Sequence, residues 1–111
     1  MFQVSVRVEN PSDSSRFFEE KFWIDDSALY TLVPEDRLRE IGVTPSGARF
    51  HHLLGEAILT IPVLAESLTC PVLFAPPGSL YRLGATALAN FGVQADLKPV
   101  DVIIGTVLAS R

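Results

Sequence analysis

The sequence predicts a mostly-β domain with two short helices, and three observations predict it. Phe2, Val4, Val6 and Val8 alternate with Gln3, Ser5, Arg7 and Glu9, the period of two that marks a half-buried strand. Residues 57–63 and 68–74 are further runs rich in β-formers. Only two stretches, one after Pro34 and one from Ala85, carry helical spacing, and each is closed within about two turns by a glycine.

The elements follow in chain order. Asn10-Pro11-Ser12-Asp13-Ser14-Ser15 is a turn cluster, and residues 16–24 return as a second strand, so the chain opens with a long hairpin. Pro11 after Asn10 excludes that asparagine as a glycosylation acceptor. Pro34 suits the first position of a helix, with Glu35 and Asp36 in its first turn, Leu38 and Ile41 on one face, and Gly42 as the stop. Residues 48–74 read as strand again. The prolines inside them, Pro62 and Pro71, point to strand ends or edges. Residues 75–79 form a loop, residues 85–91 a second short helix closed by Gly92, and residues 100–108 a final strand or strand pair. No linker, repeat or low-complexity tract interrupts residues 1–111, which are expected to form one domain.

Composition narrows the function classes. Thirteen acidic residues against nine Lys and Arg give a net charge of −4 with no basic stripe, so no nucleic-acid partner is expected. No apolar run approaches the ~20 residues needed to cross a bilayer, so no membrane partner is expected. The N-terminus lacks a basic start followed by an apolar segment, and a cytoplasmic location is the resulting expectation. The single Cys70 has no internal disulfide partner and lies in an apolar run, where it reads as a buried small hydrophobe. His51 and His52 are adjacent. On a strand they point to opposite faces, and with no ligand cluster at metal spacing neither a metal nor a cofactor is expected. Nucleophile elbows and glycine-rich phosphate loops are absent.

The segment with chemical content is Ile24-Asp25-Asp26-Ser27-Ala28-Leu29-Tyr30-Thr31-Leu32-Val33-Pro34. Acids and serine at a strand end commonly bond to nearby backbone N–H groups and shape a turn. Here, however, the acids lie between two segments that favour burial, where carboxylates need partners or shifted pKa values. Further along, Leu83-Gly84 leads into Ala85-Thr86-Ala87-Leu88, then Phe91-Gly92-Val93 and Asp96.

Together these segments resemble the retropepsin-like aspartic proteases of clan AA, in particular the small single-domain, prokaryotic-type members. In that family a strand ends in Asp-Thr/Ser-Gly-Ala, an apolar stretch runs to a proline and a helix, and a later apolar-apolar-Gly element precedes a second helix. Asp25 matches the catalytic aspartate. Ala28, Tyr30, Thr31, Pro34, Leu38 and Gly42 fall in step behind it, and Leu83-Gly84 matches the later structural motif. A register using Asp26-Ser27-Ala28 preserves Asp-Ser but shifts every downstream match by one.

The resemblance implies a closed β-barrel of the acid-protease fold. It implies a two-fold homodimer with one Asp25 per chain activating a water, and an extended peptide or protein as substrate. It also implies a flap hairpin over the substrate, with residues 49–56 as its counterpart, His52, Leu53, Leu54 and Gly55 as the flap residues, and Gly55 near the tip. The chain carries Asp26 at the family's Thr/Ser position and Ser27 at its Gly position. An ionised Asp26 accepts but does not donate hydrogen bonds, and Ser27 adds bulk beside the acid. Those two residues motivate the alternative expectation, a weakened or inactive protease-fold module that binds a peptide or protein partner.

Overall fold

The computed structural model describes residues 3–92, so the strand expected over residues 100–108 and the matches at Val93 and Asp96 lie outside the described residues. The described chain is mostly β with two short helices. In order it runs β1 (Gln3–Asn10), β2 (Asp13–Ile24), β3 (Thr31–Pro34), α1 (Glu35–Glu40), β4 (Gly47–Arg49), β5 (His52–Ile61), a 3₁₀ turn (Pro62–Leu64), β6 (Glu66–Ala75), β7 (Arg82–Leu83) and α2 (Ala85–Phe91). Neighbours in the sheet run β1-β2-β7-β3-β6-β5-β4. A further pairing of β1 with β5 closes six of these strands into a ring.

The opening hairpin follows its alternation. Val4, Val6 and Val8 face Phe22, Glu20 and Phe18 across the ladder, and the valines and both phenylalanines are buried. Glu20 falls on the same face and is answered from α1 by Arg37, whose Nη1 lies 3.4 Å from its Oε2. The same guanidinium donates to the Tyr81 hydroxyl at 2.8 Å and covers the Phe18 ring. One cation thereby ties the hairpin, α1 and the segment before β7 together.

Inside the ring, Val6, Val8, Phe22, Val33, Leu59, Val72 and Leu83 are closed to solvent. Leu38 of α1 and Ala87, Leu88 and Phe91 of α2 add to the same core. Cys70 belongs to it as well, and burial pushes its thiol pKa up, which suits a packing role. Pro34 is the N-cap of α1 rather than its first helical residue. At the other end of α1, the Asn10 amide donates to Ile41 O at 2.9 Å and Arg16 Nη2 to Glu40 O at 2.9 Å, so the hairpin satisfies carbonyls that the helix leaves open.

Residues 48–74 are divided more finely than their composition suggests. Pro62 opens the 3₁₀ turn between β5 and β6, and Ala65, in the left-handed region, ends it. Pro71 sits one residue before β6 gains its second neighbour, β3, at Val72. The β4–β5 hairpin also corrects the expectation for Gly55. Its tip is Phe50-His51, both at positive φ, a geometry that fits the twist of a two-residue hairpin. Gly55 instead lies within β5, buried and opposite Val72. A side chain there would strike the Phe74 ring.

The strand order positions the site. β2 and β3 are consecutive in sequence, yet β7 inserts between them, parallel to β2 and antiparallel to β3. The loop from Asp25 to Tyr30 must therefore cross the end of β7, and the two motifs separated by more than fifty residues meet there.

Candidate functional site at the end of the second strand

β2 runs alongside the chain that enters β7. Trp23 N–H donates to Tyr81 O at 2.8 Å, and Asp25 N–H to Leu83 O at 3.0 Å, which carries the pairing one residue beyond β2. The side chain of Asp25 is 4% exposed, and it is the only buried carboxylate among the described residues. Its Oδ1 accepts a hydrogen bond from Ser27 N–H at 3.0 Å and another, short one from the Ser27 hydroxyl. Its Oδ2 accepts from Arg82 Nη1 at 3.1 Å.

These contacts set the charge state. The Ser27 hydroxyl is the main influence holding the carboxyl below the usual carboxylate range. Burial acts in the opposite sense, and Ser27 N–H and the Arg82 guanidinium reinforce the lowering. The side chain is covered by its own turn and by Arg82 of β7. Asp26, one residue on, is exposed. The strand end therefore separates the two acids, one fixed among donors and one in solvent.

The loop carrying them is interlocked with Gly84 and α2. Ala85 N–H donates to Ala28 O at 2.7 Å and Thr86 N–H to Leu29 O at 3.0 Å, which satisfies first-turn donors of α2. Gly84 N–H donates to the buried Thr31 hydroxyl at 3.2 Å. Gly84 has an ordinary extended conformation, so its lack of a side chain serves packing. A Cβ there would lie within 3.0 Å of the Tyr30 backbone and 2.9 Å from Ala28 O. Asp25, Ser27, Ala28, Leu83 and Gly84 thus form one bonded unit.

No protein-family model matches the chain, and a search of the curated proteins finds none similar to it.

The β4–β5 hairpin reaches the same end of the molecule. Phe50 at its tip lies 6.2 Å, ring to ring, from Tyr30 in the Asp25 loop. Leu29, Phe50, Leu53 and Leu80 are each more than two-fifths exposed, and all four sit on this loop, this hairpin or the segment entering β7. Beside the ion pair, Arg82 lines a cleft of about 430 Å³ with Leu32, Pro76, Ser79, Leu80 and His52. His52 therefore reaches the neighbourhood of the acid. Leu53 faces an adjoining cleft with His51 and Phe74, and Leu54 pairs with Leu73 inside the sheet.

Arg82 is the participant that sequence reasoning missed, and Phe50 lay inside the expected flap segment, residues 49–56, without being singled out. Arg82 had no usable signal, because the pairing that brings it to Asp25 joins segments more than fifty residues apart. Phe50 had none, since its role depends on where the hairpin turns.

Proposed function

We propose that the chain is one half of a retropepsin-like aspartic endopeptidase that works as a two-fold homodimer. The observation that carries this reading is the placement of Asp25. It is a buried carboxylate at a strand end, on a loop that is bonded to α2 through Ala28 and Leu29, touches the β4–β5 hairpin through Tyr30 and Phe50, and has exposed apolar side chains beside it. A buried carboxylate held by directed donors, the only one buried among the described residues, is a candidate for function.

In the proposed dimer, Asp25 of each copy faces the other. Two carboxyls held close share one proton, because both cannot ionise easily. The ionised one takes a proton from a water as its oxygen attacks the peptide carbonyl, while the protonated one gives its proton to the carbonyl oxygen. The tetrahedral species then collapses with proton transfer to the leaving nitrogen. An extended peptide lies under the β4–β5 hairpin and is held by main-chain hydrogen bonds. The exposed Leu29, Phe50 and Leu80 support an apolar contact on this end of the chain.

A second reading, a peptide-binding module without hydrolytic activity, is favoured by one feature. Both oxygens of Asp25 are already engaged within a single chain, by Ser27 and by Arg82. Cleavage of a mixed peptide library between pH 4 and 7, beside an Asp25→Asn variant and with sedimentation of both proteins, separates the readings. Cleavage by a dimer that the variant lacks supports the endopeptidase. A well-folded dimer that binds but never cleaves supports the module, and a strictly monomeric protein at high concentration refutes the homodimeric site.

A further inference from the structure

Arg82 stands between two environments. One N–H of its guanidinium is bonded to Asp25, and among the described residues its other donors make no hydrogen bond. The side chain is 39% exposed and lines the cleft on the far side of β7. Among the described residues no carboxylate lines that cleft, and Arg82 is its only Arg or Lys. Leu32, Pro76 and Leu80 contribute apolar surface to its walls. Ser79 and His52 bring further polar atoms to the same space. A cleft of about 430 Å³ lined by apolar side chains and, among the described residues, one cation accepts a short side chain that ends in an anion.

We propose that this cleft is a subsite for a carboxylate, and that the peptide ligand presents a Glu or Asp side chain to Arg82. The proposal deepens the reading of the Asp25 region as a peptide site and rests on it. A guanidinium meets a planar carboxylate through two parallel N–H donors, and Arg82 has those donors to give. Engagement of the ligand carboxylate draws the guanidinium toward the cleft and away from Oδ2 of Asp25. Ligand choice and the availability of Asp25 are then coupled through one side chain. An apolar ligand side chain leaves Arg82 on Asp25, whereas an acidic one frees that oxygen for water.

The test is fluorescence anisotropy of the full chain with labelled hexapeptides differing at one central residue. The set comprises a C-amidated Glu peptide, a C-amidated Gln peptide, the Gln peptide with a free C-terminal carboxylate, and a C-amidated Lys peptide. The Glu peptide is expected to bind about tenfold tighter than its amidated Gln counterpart, as a charge-assisted pair implies. Arg82→Gln is expected to erase that preference, and Arg82→Glu to shift it toward Lys. The comparison of Glu with Gln in the unaltered chain needs no variant, so poor folding of either variant leaves the test intact. Equal binding of the Glu and Gln peptides, no binding at all, or a Glu preference that survives in a folded Arg82→Gln protein overturns the proposal. Tight binding confined to the free-carboxylate Gln peptide assigns the cleft to a chain end and overturns the side-chain form. Cleavage followed in the same samples separates this inference from the protease reading. Glu-selective binding without cleavage sinks only the protease, and cleavage without acidic preference sinks only the subsite.

Discussion

Replacing Gly84 by alanine tests whether the Asp25 loop and α2 form one interlocked unit. The new Cβ would meet the carbonyl carbon and oxygen of Tyr30 inside 3.0 Å and Ala28 O at 2.9 Å. All three are backbone atoms, so no side chain can rotate to make room. Ordinary carbon contacts need about 3.5 Å, and either the loop or the start of α2 must move to provide it. That movement strains three hydrogen bonds at once: Gly84 to Thr31, Ala85 to Ala28 and Thr86 to Leu29. Overpacking alone costs about 1–3 kcal/mol, and straining the three hydrogen bonds adds part of the ~1 kcal/mol that each contributes. A loss of about 3 kcal/mol is expected, a Tm drop of roughly 15 °C for a chain of this size. The assay is urea unfolding followed by far-UV circular dichroism, with Gly47→Ala as control. Gly47 is exposed in β4, and an added Cβ there meets nothing within 4 Å, so that variant is expected to stay within about 0.5 kcal/mol of the parent. A Gly84→Ala protein as stable as Gly47→Ala refutes the interlock.

Three further outcomes follow from the same geometry. The folded-state pKa of Asp25 is depressed, so its contribution to stability is fully present above the unfolded carboxyl pKa of about 3.9 and is lost as pH falls through the folded value. The gap in urea midpoint between the parent and Asp25→Asn is therefore expected to shrink as pH drops from about 5 to about 2, and a gap that widens contradicts the assigned charge state. Ser27→Gly removes the hydroxyl bond that leads the lowering while keeping the backbone one, so carbon-13 NMR titration should find the Asp25 pKa raised; an unchanged value would show that Arg82 dominates. Leu38→Ala hollows a fully buried position where α1 meets the core and is expected to cost about 2–5 kcal/mol in the same unfolding assay, against little change if α1 is loosely attached.

The parts of this fold legible in the sequence are those set by local pattern. The alternation from Val4 to Val8, the helix stop at Gly42 and the bounds of α2 all rest on neighbours close in the chain, whereas the turn expected over Asn10–Ser15 is tighter, with Asp13, Ser14 and Ser15 already in β2. What local pattern could not supply was the partner of each strand. Nothing near Arg82 says that β7 lies between β2 and β3, because that pairing joins segments more than fifty residues apart. The turn of the β4–β5 hairpin was misplaced as well. Gly55 was placed near the tip by the resemblance to the family's flap, but its smallness serves the close approach of Phe74 within the sheet. Phe50 and His51 take the positive φ instead, a conformation composition does not suggest for either. At the site, the apolar flanks suggested burial for both acids, but only Asp25 is buried, while Asp26 and Leu29 are exposed. The ion pair of Asp25 was not legible, since a single arginine before Leu-Gly reads equally as a solvated edge residue.

Ser27 and Arg82 both lower the pKa of Asp25, yet they differ in how they can be released. Arg82 reaches Asp25 from another strand on a long, partly exposed side chain, so a competing anion in the cleft can draw it away. Ser27 is two residues from Asp25 in the same turn, and its N–H and hydroxyl converge on the same oxygen, Oδ1. No ligand in the cleft beside Arg82 displaces a contact built into the turn. A dyad that shares a proton near neutral pH needs at least one raised carboxyl pKa, and loss of Arg82 alone leaves the larger lowering influence in place. The choice between endopeptidase and binding module therefore turns on Ser27 more than on Arg82. A second Asp25 brought close by dimerisation must outweigh the Ser27 hydroxyl before one proton can be held between the two acids. A Ser27→Gly protein that gains cleavage activity over its parent locates the restraint in that hydroxyl. An equally silent Ser27→Gly dimer, with its Asp25 pKa raised, removes the restraint and still finds no chemistry, which leaves peptide binding as the function of the site.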